Sequence, residues 1–346
     1  MSELDQILKK VFKNKKYRWL ITGVAGFIGS NLLENLLKNN QKVIGIDNFV
    51  TGFKKNLNLV KLNVSKKQWK NFILIKGSIE DFNVCTKGCK KIDYVLHQAA
   101  IGSVPRSIKN PIFTNNTNVT GFLNMITAAK DAKVKKFVYA SSSSVYGDNT
   151  KLPKIEKKIG NALSPYAFTK QINETYSKLF SRLYGLKCVG LRYFNVFGKN
   201  QSPNGDYAAV IPRWIIGMIN KKKITIFGDG ITTRDFCFID NVVIANILAA
   251  ITPSVANQSY NVANGDRISL NNLFLEIKNN LKINGVNYKK KPIYDDFRDG
   301  DIRHSLANIK KIKKNLNYEP LYSFKMGIKK LVPWYIENKK LFTNKK

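Results

Sequence analysis

Ser164-Pro165-Tyr166-Ala-Phe-Thr-Lys170 sets a tyrosine and a lysine four residues apart. On a helix opened by Pro165 they share one face. A phenol with its ordinary pKa of about 10 is a poor base at neutral pH. Positive charge beside it stabilises phenolate and makes Tyr166 a candidate general base, with Lys170 as its partner. The predicted strand 135–142 ends in Ser141-Ser-Ser-Ser144, at the edge where open α/β sheets bind ligands. A serine there can share a substrate hydroxyl proton with Tyr166.

A second constellation lies near the start of the chain. The run RWLIT (18–22) leads into Gly23-Val-Ala-Gly26-Phe-Ile-Gly29. Gly23 permits a tight turn, Gly26 lets the backbone approach a pyrophosphate, and Gly29 allows helix to pack on strand. The helix N-terminus then offers free N–H groups to phosphates. Asp47 follows 18 residues after Gly29. An acidic residue there suits a ribose 2′-hydroxyl and repels a 2′-phosphate, so the expected cofactor is NAD. A positive nicotinamide ring would add to the charge that favours Tyr166 phenolate. The spacing is Gly-x-x-Gly-x-x-Gly, one residue longer at the front than the usual fingerprint.

These residues need a scaffold. Strands are expected at 18–22, 42–47, 72–77, 93–99, 135–142 and 187–193, and helices at 27–39, 114–132 and 165–184. Short apolar strands alternating with helices predict an α/β protein with a Rossmann-like, doubly wound parallel sheet. The pattern loosens after residue 195, which suggests a smaller, irregular α/β substrate domain. The expected division is 1–194 for the cofactor and 195–346 for the substrate, with 236–262 returning to the first. A lead-in helix over 4–12 carries Ser2 and Asp5 as a capping pair.

The 346 residues hold 58 Lys and Arg against 23 Asp and Glu, a net charge of +35. A polyanion or an anionic membrane is the obvious partner for such a chain. The excess is dispersed Lys, with no basic tail, so neither nucleic acid nor membrane is expected as a partner. No run approaches the roughly 18 apolar residues of a membrane span. The N-terminus has no apolar signal core, and the four cysteines read as free thiols of a reducing, cytoplasmic setting. Cys85-x-x-x-Cys89 lacks metal-site spacing, and no metal is expected.

The sequence resembles the extended short-chain dehydrogenase/reductase family. Within it, the likeness is to UDP-hexose 4-epimerases, and among these to the bacterial UDP-N-acetylglucosamine 4-epimerases of O-antigen and capsule pathways. It runs through WLITGVAGFIGSNLLE (19–34), GSVPRS (102–107), SPYAFTKQINE (164–174), LRYFNVFG (191–198), GDG and RDF within 228–236, and GDIRHSLA (300–307). The resemblance implies catalytic roles for Ser142, Tyr166 and Lys170. It implies cofactor contacts from Gly23, Gly26, Phe27, Ile28, Gly29, Asp47, Asn48, Gly52, Ile79, Gln98, Ala99, Ala100, Asn118 and Tyr193. Ser78 stands where the family usually carries an Asp at the adenine. For the UDP-sugar substrate it implies Asn195, Arg234 and Arg298 at the diphosphate, Asp301 at the uridine ribose, and further contacts from Ala209 and Val210. Gly102, Ser103, Ser143, Ser144 and Gln201 would meet an acetamido sugar. Ser305 replaces a bulky tyrosine of glucose/galactose-limited relatives and leaves room for an N-acetyl group.

The expected reaction is C4 epimerisation of UDP-N-acetylglucosamine and UDP-N-acetylgalactosamine through a transient 4-keto sugar. The corresponding uronic acids are an alternative. Sugar dehydratases and decarboxylases share the scaffold but need carboxylates where Ser143 and Ser144 stand. A basic nucleic-acid-binding protein on the same fold is the reading from another class. The family also implies a homodimer through two exposed helices.

Overall fold

The computed structural model describes residues 2–205, 208–297 and 303–343. Helix α1 (Glu3–Phe12) begins with a capping box between Ser2 and Asp5 and buries Leu4, Leu8 and Phe12. The first half then alternates as the hydrophobic pattern dictates. Its strands are β1 (Arg18–Thr22), β2 (Lys42–Asp47), β3 (Phe72–Lys76), β4 (Tyr94–His97), β5 (Lys136–Ser142) and β6 (Cys188–Tyr193). Between them lie α2 (Phe27–Lys38), α3 (Lys54–Leu62), α4 (Lys66–Trp69), α5 (Phe82–Cys89), α6 (Val104–Lys109), α7 (Pro111–Asn115), α8 (Gly121–Asp131) and α9 (Pro165–Tyr184).

The second half is broken into short pieces. It contains β7 (Val196–Phe197), α10 (Val210–Ile219), β8 (Thr225–Phe227), β9 (Thr233–Arg234), β10 (Cys237–Phe238), α11 (Ile239–Ile251) and β11 (Gln258–Val262). After these come β12 (Ile268–Ser269), α12 (Leu270–Ile283), β13 (Ile293–Asp295), α13 (Lys310–Leu316), α14 (Phe324–Glu337) and α15 (Lys340–Thr343).

Seven strands form one parallel sheet in the order β11-β6-β5-β4-β1-β2-β3. The order reverses direction at the β1/β4 boundary, where a doubly wound sheet opens a crevice beyond its strand ends. β11, from residues 258–262, pairs with β6 at the far edge, and α11 packs on β4, β5 and β6. The short strands stay outside this sheet in pairs β10-β7, β12-β9 and β13-β8.

Two expected elements differ in detail. The strand expected over 93–99 stops at His97, because Gln98 N and Ala99 N turn to the carbonyl and hydroxyl of Thr22. The helix expected over 114–132 is divided: a π-helical turn, Asn116–Thr120, separates α7 from α8. Such turns widen a helix and re-aim the side chains they carry. This one carries Asn118.

Candidate active site

A cleft of about 470 Å³ opens where the sheet order reverses. Its floor is the β1–α2 turn. A Cβ on Gly29 would lie 2.1 Å from Gly23 O, and a Cβ on Gly23 would lie 2.9 Å from the Ala99 backbone. Only glycine permits these approaches. Gly26 caps α2 with no side-chain hydrogen bond, so the first-turn N–H groups of α2 are left for a ligand. Phe27 and Ile28 complete this part of the lining.

Asp47 ends β2 and lines the cleft. Its carboxylate accepts from Ala25 N and Phe49 N, both at 2.8 Å. Burial raises its pKa against the effect of those two bonds. A Cβ on Gly52 would come within 2.7 Å of Asp47 Oδ1, so glycine lets this loop close on the carboxylate. Asn48, Ile79, Gln98, Ala99, Ala100 and Gly102 also line the cleft. Ser78 does not: its hydroxyl accepts from Glu80 N at 3.2 Å, closing its own turn, while its neighbours Gly77 and Ile79 face the cleft.

Ser142, Tyr166 and Lys170 meet at the opposite wall. Ser142 Oγ accepts from Ser144 N at 3.1 Å. Lys170 Nζ donates to Ala140 O at 2.8 Å and lies 5.9 Å from the centre of the Tyr166 ring. Burial pushes the Lys170 ammonium down to about 8. Burial also raises the Tyr166 phenol, with the Ser142 hydroxyl opposing it. Among the protein's own groups, desolvation is the larger effect on this phenol and the Ser142 hydrogen bond the smaller.

Tyr193 closes the inner end. Its hydroxyl lies 3.1 Å from Gln98 Oε1 and 3.0 Å from Asn246 Oδ1. Asn246 escaped sequence reasoning, although a lone amide in the apolar run 242–251 was its signal. Asn118 is spent on structure. Its Oδ1 accepts from Ile101 N at 2.7 Å, and its Nδ2 donates to Ile101 O and Thr169 Oγ1. His97 is a core residue, bonded to Thr22 and stacked on Phe137. Burial holds its pKa down at about 3.

The residues expected at the substrate are less unified. Asn195 and Gln201 line the cleft, whereas Ser103, Ser143, Ser144, Ala209, Val210, Arg234 and Ser305 lie outside its lining among the described residues. Ser144 Oγ and Gln201 Oε1 are buried and find no hydrogen-bond partner in the protein. Arg234 Nη1 donates to Thr233 O and Arg303 O. Asp235 anchors this strand by accepting from Asn264 N, Gly265 N and Ala307 N. Ser305 N bonds Thr233 O, which sets Ser305 beside β9. Ala209 and Val210 open α10. Arg298 and Asp301 lie outside the described residues. Arg192, within the run 191–198, is buried in a two-pronged pair with Glu174 at 2.8 and 2.7 Å.

The chain belongs to the NAD dependent epimerase/dehydratase family, whose model matches residues 19–263. It is 37% identical over 323 residues to the UDP-glucuronate 4-epimerase of Thermodesulfobacterium geofontis, spanning 92% of this chain and 96% of the relative. A UDP-N-acetylglucosamine 4-epimerase from Methanobrevibacter ruminantium M1, solved with UDP-N-acetylmuramic acid, superposes with TM-score 0.85 at 36% identity, covering 94% of this chain and 99% of that one. The UDP-glucose 4-epimerase of Thermotoga maritima, solved with UDP-glucose, gives TM-score 0.85 at 34% identity over 93% and 99%. The glycine cradle, the uncapped α2 terminus and Asp47 fit the cofactor in the family's description.

Proposed function

We propose that this chain is a UDP-sugar 4-epimerase using NAD, and that its substrate pair is UDP-N-acetylglucosamine and UDP-N-acetylgalactosamine. The observation that carries the reading is one cleft holding both the glycine cradle with Asp47 and the trio Ser142, Tyr166 and Lys170. Gly23, Gly26 and Gly29 would hold the pyrophosphate, Asp47 the adenosine ribose, and Tyr193 and Lys170 the far half. NAD, when bound, supplies a hydride acceptor at the sugar's C4 and a positive charge beside the phenol. Tyr166 takes the proton of the 4-hydroxyl and later returns it. Ser142 donates to the phenolate oxygen and holds the same hydroxyl. Lys170, fixed by Ala140 O, keeps positive charge near the ring. Arg234 and Asn195, with Arg298, would grip the diphosphate while the 4-keto sugar turns over.

The N-acetyl preference rests on finer points. Gln201 Oε1, in the cleft lining, is an orphaned polar atom suited to an amide-bearing sugar. Ser305 is small. The relative named for glucuronate supports a second reading, the hexuronic acid forms. Product analysis with UDP-GlcNAc, the corresponding uronic acid and UDP-glucose, without added NAD, decides between them. Ser305→Tyr should lose N-acetylated substrates selectively; unchanged selectivity counts against this pocket. Tyr166→Phe should abolish turnover with NAD still bound, and retained epimerisation would sink the assignment.

A further inference from the structure

Tyr166 stands in the first turn of α9, where backbone N–H groups lack partners within the helix. Ser164 caps the helix by accepting from Ala167 N at 3.1 Å. The N–H of Tyr166 is taken by another segment: it donates to Ser107 Oγ at 3.0 Å. Ser107, on α6, is 0% exposed, and its own hydroxyl donates to Val104 O at 2.7 Å. The Tyr166 carbonyl is held too. It accepts from Thr169 Oγ1 at 2.8 Å, and that oxygen accepts from Asn118 Nδ2 at 3.2 Å. Asn118 in turn grips both backbone groups of Ile101.

The loop from Ile101 to Ser107 is therefore tied to Tyr166 at both ends. Between the ties lie Gly102, in the cleft lining, and Ser103 with φ 92° and ψ 120°. That conformation is costly for a residue with a side chain and persists only where its surroundings over-determine it.

We propose that Ser107 is a positioning residue for Tyr166. Its hydroxyl fixes where the phenol stands relative to Ser142 and to the loop at the substrate side. The proposal rests on the reading of Tyr166 as the base. The phenol's pKa is a contest between burial, which raises it, and the Ser142 hydroxyl, which lowers it. A loosened first turn weakens the Ser142 contact and leaves burial in place, so the phenol titrates at higher pH.

Ser107→Ala removes one buried atom and leaves the Tyr166 N–H without its acceptor. The NAD-loaded protein is compared with wild type in two ways. The first is kcat and KM across pH. The expected result is a kcat about tenfold to a hundredfold lower, its acidic limb displaced to higher pH, with NAD affinity unchanged. The second is the tyrosinate absorbance titration, taken as a difference against Tyr166→Phe, which reads the phenol without any turnover. It should also move to higher pH. Ser107→Thr, which keeps the hydroxyl, should restore both where its melting temperature shows it folded. An unmoved tyrosinate titration in Ser107→Ala overturns the proposal, whatever happens to stability. Absence of turnover in wild type on every UDP-sugar defeats the epimerase reading alone, and the titration then decides for Ser107.

Discussion

Gly29→Ala puts the cofactor cradle to a geometric test. A methyl group there would lie 2.1 Å from Gly23 O, 2.8 Å from Gly23 C and 2.9 Å from Val24 Cα. All three are backbone atoms, so no side chain can swing aside. Ordinary contact begins at 3.4 Å, so helix and turn must separate by about 3.4 − 2.1 = 1.3 Å. The turn resists, because Gly23 N is bonded to Ile46 O at 2.8 Å and Gly26 N to Gly23 O at 3.0 Å. Overpacking of this kind costs roughly 3 kcal/mol. Alanine in a helix recovers about 1 kcal/mol over glycine. The net expectation is a loss of about 2 kcal/mol by urea denaturation. The phosphate-facing N–H groups move with the helix, so NAD affinity should fall by about tenfold or more. Gly217→Ala in α10 is the control, since its methyl would meet only Ile224 Cδ1, the far end of a flexible side chain, at 2.9 Å. It should change stability by less than about 1 kcal/mol. A Gly29→Ala protein with the wild-type urea midpoint and wild-type NAD affinity refutes the reasoning.

Two further perturbations test the buried charges. Arg192→Met strands the Glu174 carboxylate, which is buried and otherwise bonded to Ser141 Oγ at 2.6 Å. The cost should be about 3–5 kcal/mol, largely recovered by adding Glu174→Gln; a single variant as stable as wild type would show the pair to be dispensable. Burial alone would raise the Glu174 carboxyl, but Arg192 holds it below its ordinary value. Its share of stability is therefore present above the ordinary carboxylate pKa and lost as pH falls through the lowered one. Lys170 has the opposite character. With its ammonium pushed down to about 8, the unfolded chain binds more protons between pH 8 and 10.5, so stability rises with pH across that window. Lys170→Met should raise the unfolding free energy at pH 7 by on the order of 1–2 kcal/mol, seen as a higher urea midpoint, while abolishing turnover. A lowered midpoint contradicts the burial argument.

Local chemistry was legible in the chain. The helix bearing Tyr166 runs Pro165–Tyr184, as Pro165 and the i, i+4 pattern predict. The turn from β1 into α2 and the Ser2–Asp5 capping box follow from spacings of three residues. A parallel doubly wound sheet follows from strand–helix alternation. The division of residues 114–132 was not legible. The π-helical turn places Asn118 where its amide meets Ile101, and no periodicity in residues 114–132 marks that partner. Nor was the pairing of Arg192 with Glu174 on α9, two residues 18 apart in the chain, legible. The weak pattern after residue 195 has a plain cause: its strands are two or three residues long except β11, too short for alternation to register.

The sequence by itself determined the elements and the candidate chemistry, because helix faces, caps and glycine turns depend on neighbours a few residues apart. Tertiary structure decided which polar groups are free to act. Ser107 reaches Tyr166 across 59 residues, Asn246 reaches Gln98 across 148, and the Lys199 carbonyl reaches Asn31 across 168. It also decided the direction of the Tyr166 shift. Charge and spacing favour phenolate, but the cost of burying it depends on how completely folding removes water from that wall, and only the assembled protein sets that.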